Sequence, residues 1–254
     1  VNGRTLPVKL IYSIDCYRNE PVEELNETKR RQFNQLGVEN IGDSSLQTDK
    51  EVIEYACAVM DSSGINGPPG NSIRVRLNNI KLFKTLCDDS GFDRERRYSM
   101  QETLDKFSKA RALGQKYNSI LPIGDLSPEL QKRWQALVEG YNMTLAEVSK
   151  IDEELAELAF ILGKDKIPVT IDLSVVRGFS YYTGPVFQFD VVKEDGTVIA
   201  EVGGGGRYDD LIGQNLRTFG IERQIPATGF AFGTERLVAA SRLPKQIYIG
   251  WMGV

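Results

Sequence analysis

Four arginines stand in surroundings that a purely structural arginine does not need: Arg18 in CYRNE, Arg177 in VVRGFSYYTGPVF, Arg207 in GGGGRYDD and Arg236 in GTERL. A guanidinium presents a rigid planar fork of donors suited to phosphate and carboxylate, and burying one without an anion is costly. Gly178 beside Arg177 and the glycine run 203–206 beside Arg207 lack the Cβ atoms that keep a ligand or a second backbone at a distance. Taken singly, each arginine is better explained by pairing with a surface carboxylate, since Asp and Glu outnumber Lys and Arg 35 to 31. The four together point to a site for a polyanionic nucleotide. The glycine run is not a Walker-type phosphate loop, because no Gly-Lys-Ser/Thr follows it. The chain contains no histidine, which excludes Ser-His-Asp triads, Cys-His pairs and histidine-based metal sites. Its chemistry must rest on positioning and charge stabilisation, or on carboxylates and lysines.

The elements that must carry these residues follow from periodicity and caps. LPVKLIYSIDCYRNEP alternates as a strand up to Pro21, a charged loop follows, and FNQLGVENIG reads as a second strand ending at Gly42, so an antiparallel pair is expected. From Thr48, apolar Val52, Ile53, Ala56, Val59 and Met60 recur at helical spacing until Gly64, and SIRVRLNN then alternates as a strand. Residues 80–166 are rich in helix formers. Ser127 with Pro128 predicts a helix that stops at Gly140, and Thr144 with Glu147 is a capping box that opens another helix running to Gly163. Strands resume with IPVTIDLSVVRGFSYYTGPVFQFDVV and GTVIAEVGGGGRYDDLIG, and ATGFAFGTERLVAASRL is a strand entering a helix. The expectation is an α+β fold: an antiparallel sheet flanked by helices and interrupted by a helical insertion.

Composition bounds the rest. At 254 residues, 41% hydrophobic and 26% charged, the chain allows one large domain or two smaller ones. A net charge of -4 argues against an overall basic nucleic-acid binder, though not against a local basic patch. Cys16, Cys57 and Cys87 are odd in number and outside metal-ligand spacing, so reduced thiols and a cytoplasmic protein are expected. No apolar run approaches the roughly 18 residues that span a bilayer.

CYRNE, RRQFNQLGVENIG, VVRGFSYYTGPVF, GGGGRYDDLIG and TGFAFGTERL together resemble the histidyl-tRNA synthetases, in order and context. CYRNE is similar to motif 2 of class II aminoacyl-tRNA synthetases and GFAFGTERL to motif 3, while RGFSYYTG and GGGGRYD resemble the two histidine-specific signatures. The resemblance implies a class II synthetase-type sheet, with residues 1–79 and 167–245 as two halves of a catalytic core around the insertion at 80–166, and residues 246–254 as the start of an anticodon-binding domain. It implies activation of histidine by ATP, which brings Mg2+ as its substrate complex, transfer to tRNA(His), a homodimer, and no protein-bound metal. By the same resemblance Arg18 and Arg236 would clamp the ATP phosphates, with Glu20 at the adenine end. Gln35 and Glu39 would hold the amino group and imidazole of histidine, Arg177 would stabilise the α-phosphate, and Tyr181 and Tyr182 would line the histidine site. Pro21, Asn34 and Ser180 depart from the family pattern. Motif 1 is absent, so a partial chain is expected. A related non-catalytic protein, the regulatory subunit of ATP phosphoribosyltransferase, is the alternative, and the synthetase-like domain of a stress-responsive kinase a third.

Overall fold

Alternation along the strands decides which residues face the core and which are left for function. The computed structural model describes residues 5–19, 22, 30–65, 71–116, 121–178 and 180–241. In chain order the elements are β1 (Val8–Tyr17), β2 (Gln32–Ile41), α1 (Leu46–Ser62), β3 (Asn71–Asn79), α2 (Ile80–Asp89), α3 (Arg94–Ala112), α4 (Pro128–Glu139), α5 (Leu145–Val148) and α6 (Glu153–Lys164). They continue with β4 (Val169–Ile171), β5 (Pro185–Lys193), β6 (Val198–Arg207), α7 (Leu211–Arg217), β7 (Ala227–Gly233) and α8 (Thr234–Ala240). The strands form one seven-stranded sheet in the order β1-β2-β7-β6-β5-β3-β4. The α+β architecture is as expected, with one difference: the short edge strand β4 runs parallel to β3, while every other pair is antiparallel.

On one face of the sheet, Phe187 and Phe189 of β5 meet Phe230 and Phe232 of β7, with centroids 5.0–5.9 Å apart. Because successive side chains point to opposite faces, the intervening Gln188, Gly229, Ala231 and Gly233 face the other way. The register extends this second face into three rows: Glu39–Gly229–Gly206, Gly37–Ala231–Gly204–Gln188, and Gln35–Gly233. Nearly all its members on β6 and β7 are glycine or alanine. That face is therefore shallow at its centre, and ligand-sized space remains above it.

The helices expected between residues 80 and 166 are present. Ser127 caps α4 and Gly140 ends it. The single helix expected from Thr144 is two: the capping box of Thr144 and Glu147 opens α5, which stops at Val148, and the Asp152 side chain then accepts from the Leu155 N–H at 2.8 Å to start α6. A second N-cap inside a helical pattern breaks it where periodicity alone sees continuity. Apolar residues of α2, α3, α4 and α6 run into the same cluster as those of the sheet. Among the described residues no helix is long and apolar enough to cross a membrane.

Arg207 departs from expectation. It is not on the ligand face but 3% exposed, with Nη2 and Nε at 2.7 and 3.0 Å from the Asp49 carboxylate and Nη2 donating to the Ser45 carbonyl at 2.9 Å. This clips the end of β6 to the first turn of α1. Burial pushes the Asp49 carboxyl up to about 6 against the opposing pull of Arg207.

Candidate functional site

A cavity of about 480 Å³ opens over the glycine-rich rows. It brings together Arg18, Gln35, Glu39, Arg177, Tyr181, Tyr182 and Arg236, all the candidates named from the sequence except Glu20 and Arg207. Glu20 and Pro21 lie outside the described residues, as do residues 246–254. Among the described residues the lining holds no serine, threonine, cysteine or histidine, so it offers none of the usual nucleophiles other than carboxylates and Lys109. Lys109 itself hydrogen-bonds Asp105.

Strand β2 lays out the site along its length. Positions 33, 35, 37 and 39 share one face, and at about 3.4 Å per residue Phe33 and Glu39 are roughly 20 Å apart. At the far end, the Glu39 carboxylate receives the phenolic hydroxyls of Tyr208 and Tyr12, the latter at 3.2 Å. Tyr12 reaches it by lying flat across Gly37, its antiparallel partner, where any Cβ would collide with the ring. Gly229 opposite is equally constrained, since a Cβ there would run into the Glu39 carboxylate. Burial raises the Glu39 pKa, and the two tyrosine hydrogen bonds pull in the opposite direction. Burial likewise pushes the phenols of Tyr12, Tyr181 and Tyr208 upward, which keeps them neutral donors. Tyr181 and Tyr182 pack at 4.7 Å, and Tyr181 meets Tyr208 edge-on at 5.8 Å, closing an aromatic wall around this end.

The near end is cationic. Arg18 stacks over Phe33 with its guanidinium carbon 4.9 Å from the ring centre. Arg236, in the first turn of α8, donates to the Glu201 carbonyl at 3.4 Å. The junction of β7 with α8 is pinned onto β2 by the Asn34 N–H donating to Glu235 at 3.1 Å and by the Thr234 hydroxyl donating to the Asn34 carbonyl at 3.3 Å.

Arg177 stands between the two ends. A Cβ on Gly204, in the middle row, would lie 2.7 Å from the Arg177 Nη1. Its described side-chain partner is the neutral amide oxygen of Gln188. Among the described residues no carboxylate is within ion-pair distance of Arg18, Arg177 or Arg236, whereas Arg74, Arg76 and Arg207 are all paired with carboxylates deep in the fold. Three guanidiniums around one cavity with no carboxylate partner among the described residues have the chemistry to meet a polyanion.

Comparison with known proteins gives this arrangement a family. A family model described as histidyl-tRNA synthetase matches residues 1–237. The chain belongs to the histidyl-tRNA synthetase family. It is 31% identical over 241 residues to a histidine–tRNA ligase of Sulfolobus acidocaldarius, an alignment covering 91% of this chain and 52% of that protein. The chain thus spans about half the length of the curated relatives it matches. Among solved structures it is similar to an ATP phosphoribosyltransferase regulatory subunit/histidyl-tRNA synthetase from Bacillus halodurans, at 25% identity and a TM-score of 0.68, covering 94% of this chain and 60% of that one. A histidyl-tRNA synthetase from Nostoc shares the fold at a TM-score of 0.66 and 21% identity, covering 94% and 55%.

Among the cavity residues that escaped the sequence reading, Tyr208, Tyr12 and Gln188 meet the candidate residues directly. Tyr208 lay inside the glycine-rich signature with a signal available, a phenol two residues past the last glycine of the run. Tyr12 gains meaning only from the register that sets it across Gly37. Gln188 sits in a hydrophobic strand as one of its few polar residues, and alternation with Phe187 and Phe189 places it over the cavity.

Proposed function

We propose that the protein is a histidine–tRNA ligase that makes histidyl-adenylate from histidine and ATP and passes the histidyl group to tRNA(His). The observation that carries this reading is the order of groups along the cavity: a half-buried carboxylate among tyrosines, then Arg177, then Arg18 and Arg236. Glu39 accepts an N–H of the imidazole, and Gln35 holds the amino group. The histidine carboxylate is the nucleophile and attacks the α-phosphorus of ATP. The new P–O bond forms as the bond to the β-phosphate bridging oxygen breaks, and pyrophosphate leaves with its Mg2+. No side chain has to take a proton in this step, in keeping with a described lining that holds no histidine, serine, threonine or cysteine. Arg177 meets charge building on the α-phosphoryl oxygens, and Arg18 and Arg236 hold the outgoing phosphates. The substrate ATP carries the metal; no protein metal site is needed. Glu20 at the adenine end, the homodimer and a cytoplasmic place of work belong to the same reading.

The test is histidine-dependent ATP–pyrophosphate exchange by the full-length protein, with Arg177→Ala beside it. Loss of one preorganised donor of this kind lowers kcat by about 100- to 1,000-fold, or about 2.7–4 kcal/mol. Arg177→Lys recovers part of this, because an ammonium cannot reproduce the planar fork. The similarity to a regulatory subunit of ATP phosphoribosyltransferase favours a second reading, a histidine sensor on the same fold. Histidine binding without any exchange, together with stimulation of an ATP phosphoribosyltransferase, would select that reading.

A further inference from the structure

We propose that two buried glutamines, Gln101 on α3 and Gln188 on β5, form a neutral clamp that aims Arg177, and that both are positioning residues for adenylate formation; this rests on the role given to Arg177 above. Arg177 has φ 54°, in the left-handed region that bulky L-residues rarely occupy. A conformation of that kind persists only where its surroundings fix it. Here the fixing group comes from 76 residues away. The Gln101 Nε2 donates to the Arg177 carbonyl at 2.5 Å and lies 3.3 Å from the Val176 carbonyl, so one amide spans both peptide groups of the turn. Gln101 is 8% exposed and Gln188 7%, so neither partnership competes much with water.

The other end of the same residue is held by Gln188, which accepts from Nη1. Both holders are amides. A carboxylate in place of Gln188 would hold the guanidinium as firmly but cancel the charge it presents, and one in place of Gln101 could not donate to the backbone carbonyls at all. The fold uses carboxylates freely elsewhere: Arg76, one strand over, is gripped by Asp190, Asp172 and Glu201. The contrast separates an arginine kept for a ligand from one spent on the fold. The Nε of Arg177 is buried with no partner among the described residues, a donor left available inside the site.

Helix α3 is thereby part of the site wall. Gln101, Asp105, Ser108 and Lys109 fall at i, i+4, i+7 and i+8, one face of the helix. Asp105 and Lys109 line the cavity, and Ser108 holds Arg76 at 2.6 Å. The helical block thus reaches the reacting centre through a side chain.

The experiment uses full-length protein carrying Gln101→Met and Gln188→Glu, each alone and combined with Arg177→Ala. Single-turnover adenylate formation, the histidine and ATP KM values and Tm are measured for each. The expected result is adenylate formation slowed by about tenfold or more for each single variant, with histidine KM within about threefold, as for a misplaced group that acts mainly in the transition state. On top of Arg177→Ala, each adds less than about threefold, because residues acting through one another are not additive. Effects that multiply with Arg177→Ala overturn the clamp, as do single variants within threefold of wild type when Arg177→Ala is slow. If Arg177→Ala is itself within threefold, the functional reading of Arg177 fails, and the clamp is judged by a crystal structure of Gln101→Met. Arg177 at unchanged φ and still bonded to Gln188 then overturns it; a turn that has left the left-handed region supports it. Should Gln101→Met fail to fold, Gln101→Glu replaces it. Its ionised carboxylate cannot donate to the Arg177 carbonyl whereas its protonated form can through its one O–H, so its rate relative to wild type rises as pH falls, and a flat ratio overturns the proposal.

Discussion

Glu39 is kept in a place where its ionised form is unfavourable. Burial raises its pKa above the ordinary carboxylate value, and the hydroxyls of Tyr208 and Tyr12 only partly offset this. Between the ordinary carboxylate pKa and the raised one, the folded chain binds more protons than the unfolded chain, so this residue's contribution to stability declines as pH rises through that window. The cost is fully present above the raised pKa. Glu39→Gln keeps the shape and removes the charge, so its Tm is expected above that of wild type at pH 7.5, with the difference shrinking toward pH 4.5. The same change leaves an imidazole N–H facing an amide in place of an anion. Histidine KM is expected to rise at least tenfold, about 1.4 kcal/mol, because charge-assisted hydrogen bonds carry about 1.5–3 kcal/mol. Thermal scans at the two pH values and steady-state kinetics check both halves. A variant that is less stable at pH 7.5, or that binds histidine as well as wild type, removes Glu39 from the amino-acid site.

At the scale of elements, the alternation of β7 does two jobs with one repeat: Phe230 and Phe232 build the core, while Gly229, Ala231 and Gly233 floor the cavity. Gly229→Ala therefore tests the floor. Its methyl group would occupy the space of the Glu39 carboxylate, so the carboxylate must move. The expected outcome is a histidine KM raised about tenfold or more and a stability loss of about 1–3 kcal/mol, the usual range for overpacking. Ala231→Gly, in the adjacent row, has no such neighbour to relieve and leaves KM within twofold. Equal KM for Gly229→Ala and wild type in a titration of histidine would show that Glu39 is free to move aside. Such a floor could be read from the sequence only in part. Period-two alternation revealed β1, β2 and β3, and caps placed α4 within a residue, because those signals are local. What the sequence hid was mostly long-range. Arg207 looks like its fellow arginines until Asp49, 158 positions away, is folded against it. Tyr12 and the parallel pairing of β4 depend on register, and the break between α5 and α6 on one carboxylate choosing a backbone N–H. That Arg18, Arg177 and Arg236 line one candidate cavity was legible because each stands beside glycines or tyrosines within a short signature.

At the scale of the whole molecule, the question is whether the helices of residues 80–166 fold apart from the sheet or with it. Trp134 of α4 is fully buried, stacked on Phe92 at 5.6 Å and met edge-on by Phe83 at 5.8 Å, and its Nε1 donates to the Ser90 hydroxyl at 3.0 Å. This aromatic group is continuous with Val75, Leu77 and Phe187 of the sheet in one apolar cluster. Polar contacts reinforce the join on the other side, where the Ser108 hydroxyl of α3 accepts from Arg76 of β3 at 2.6 Å and Arg111 of α3 pairs with Asp172, just after β4, at 3.5 Å. Removing the block would open the sheet's core and take away the residue that fixes the Arg177 turn. Deletion is therefore expected to abolish adenylate formation along with transfer to tRNA, contrary to what a peripheral insertion would give. A gentler measurement isolates the folding question. The chain has two tryptophans, Trp134 and Trp251, so Trp251→Phe leaves Trp134 as the single indole reporter of the block. Fluorescence then follows the helices while far-UV circular dichroism follows helices and sheet together, and coincident urea transitions mark one cooperative unit. The two midpoints are expected to agree. Trp134→Ala, which empties the centre of the cluster, should lower the stability of the whole by about 3–5 kcal/mol, a large share of the roughly 5–15 kcal/mol that holds a folded domain. If fluorescence is lost at clearly lower urea than the dichroism, with the remaining signal still cooperative, the block unfolds on its own, and the shared core does not bind it to the sheet.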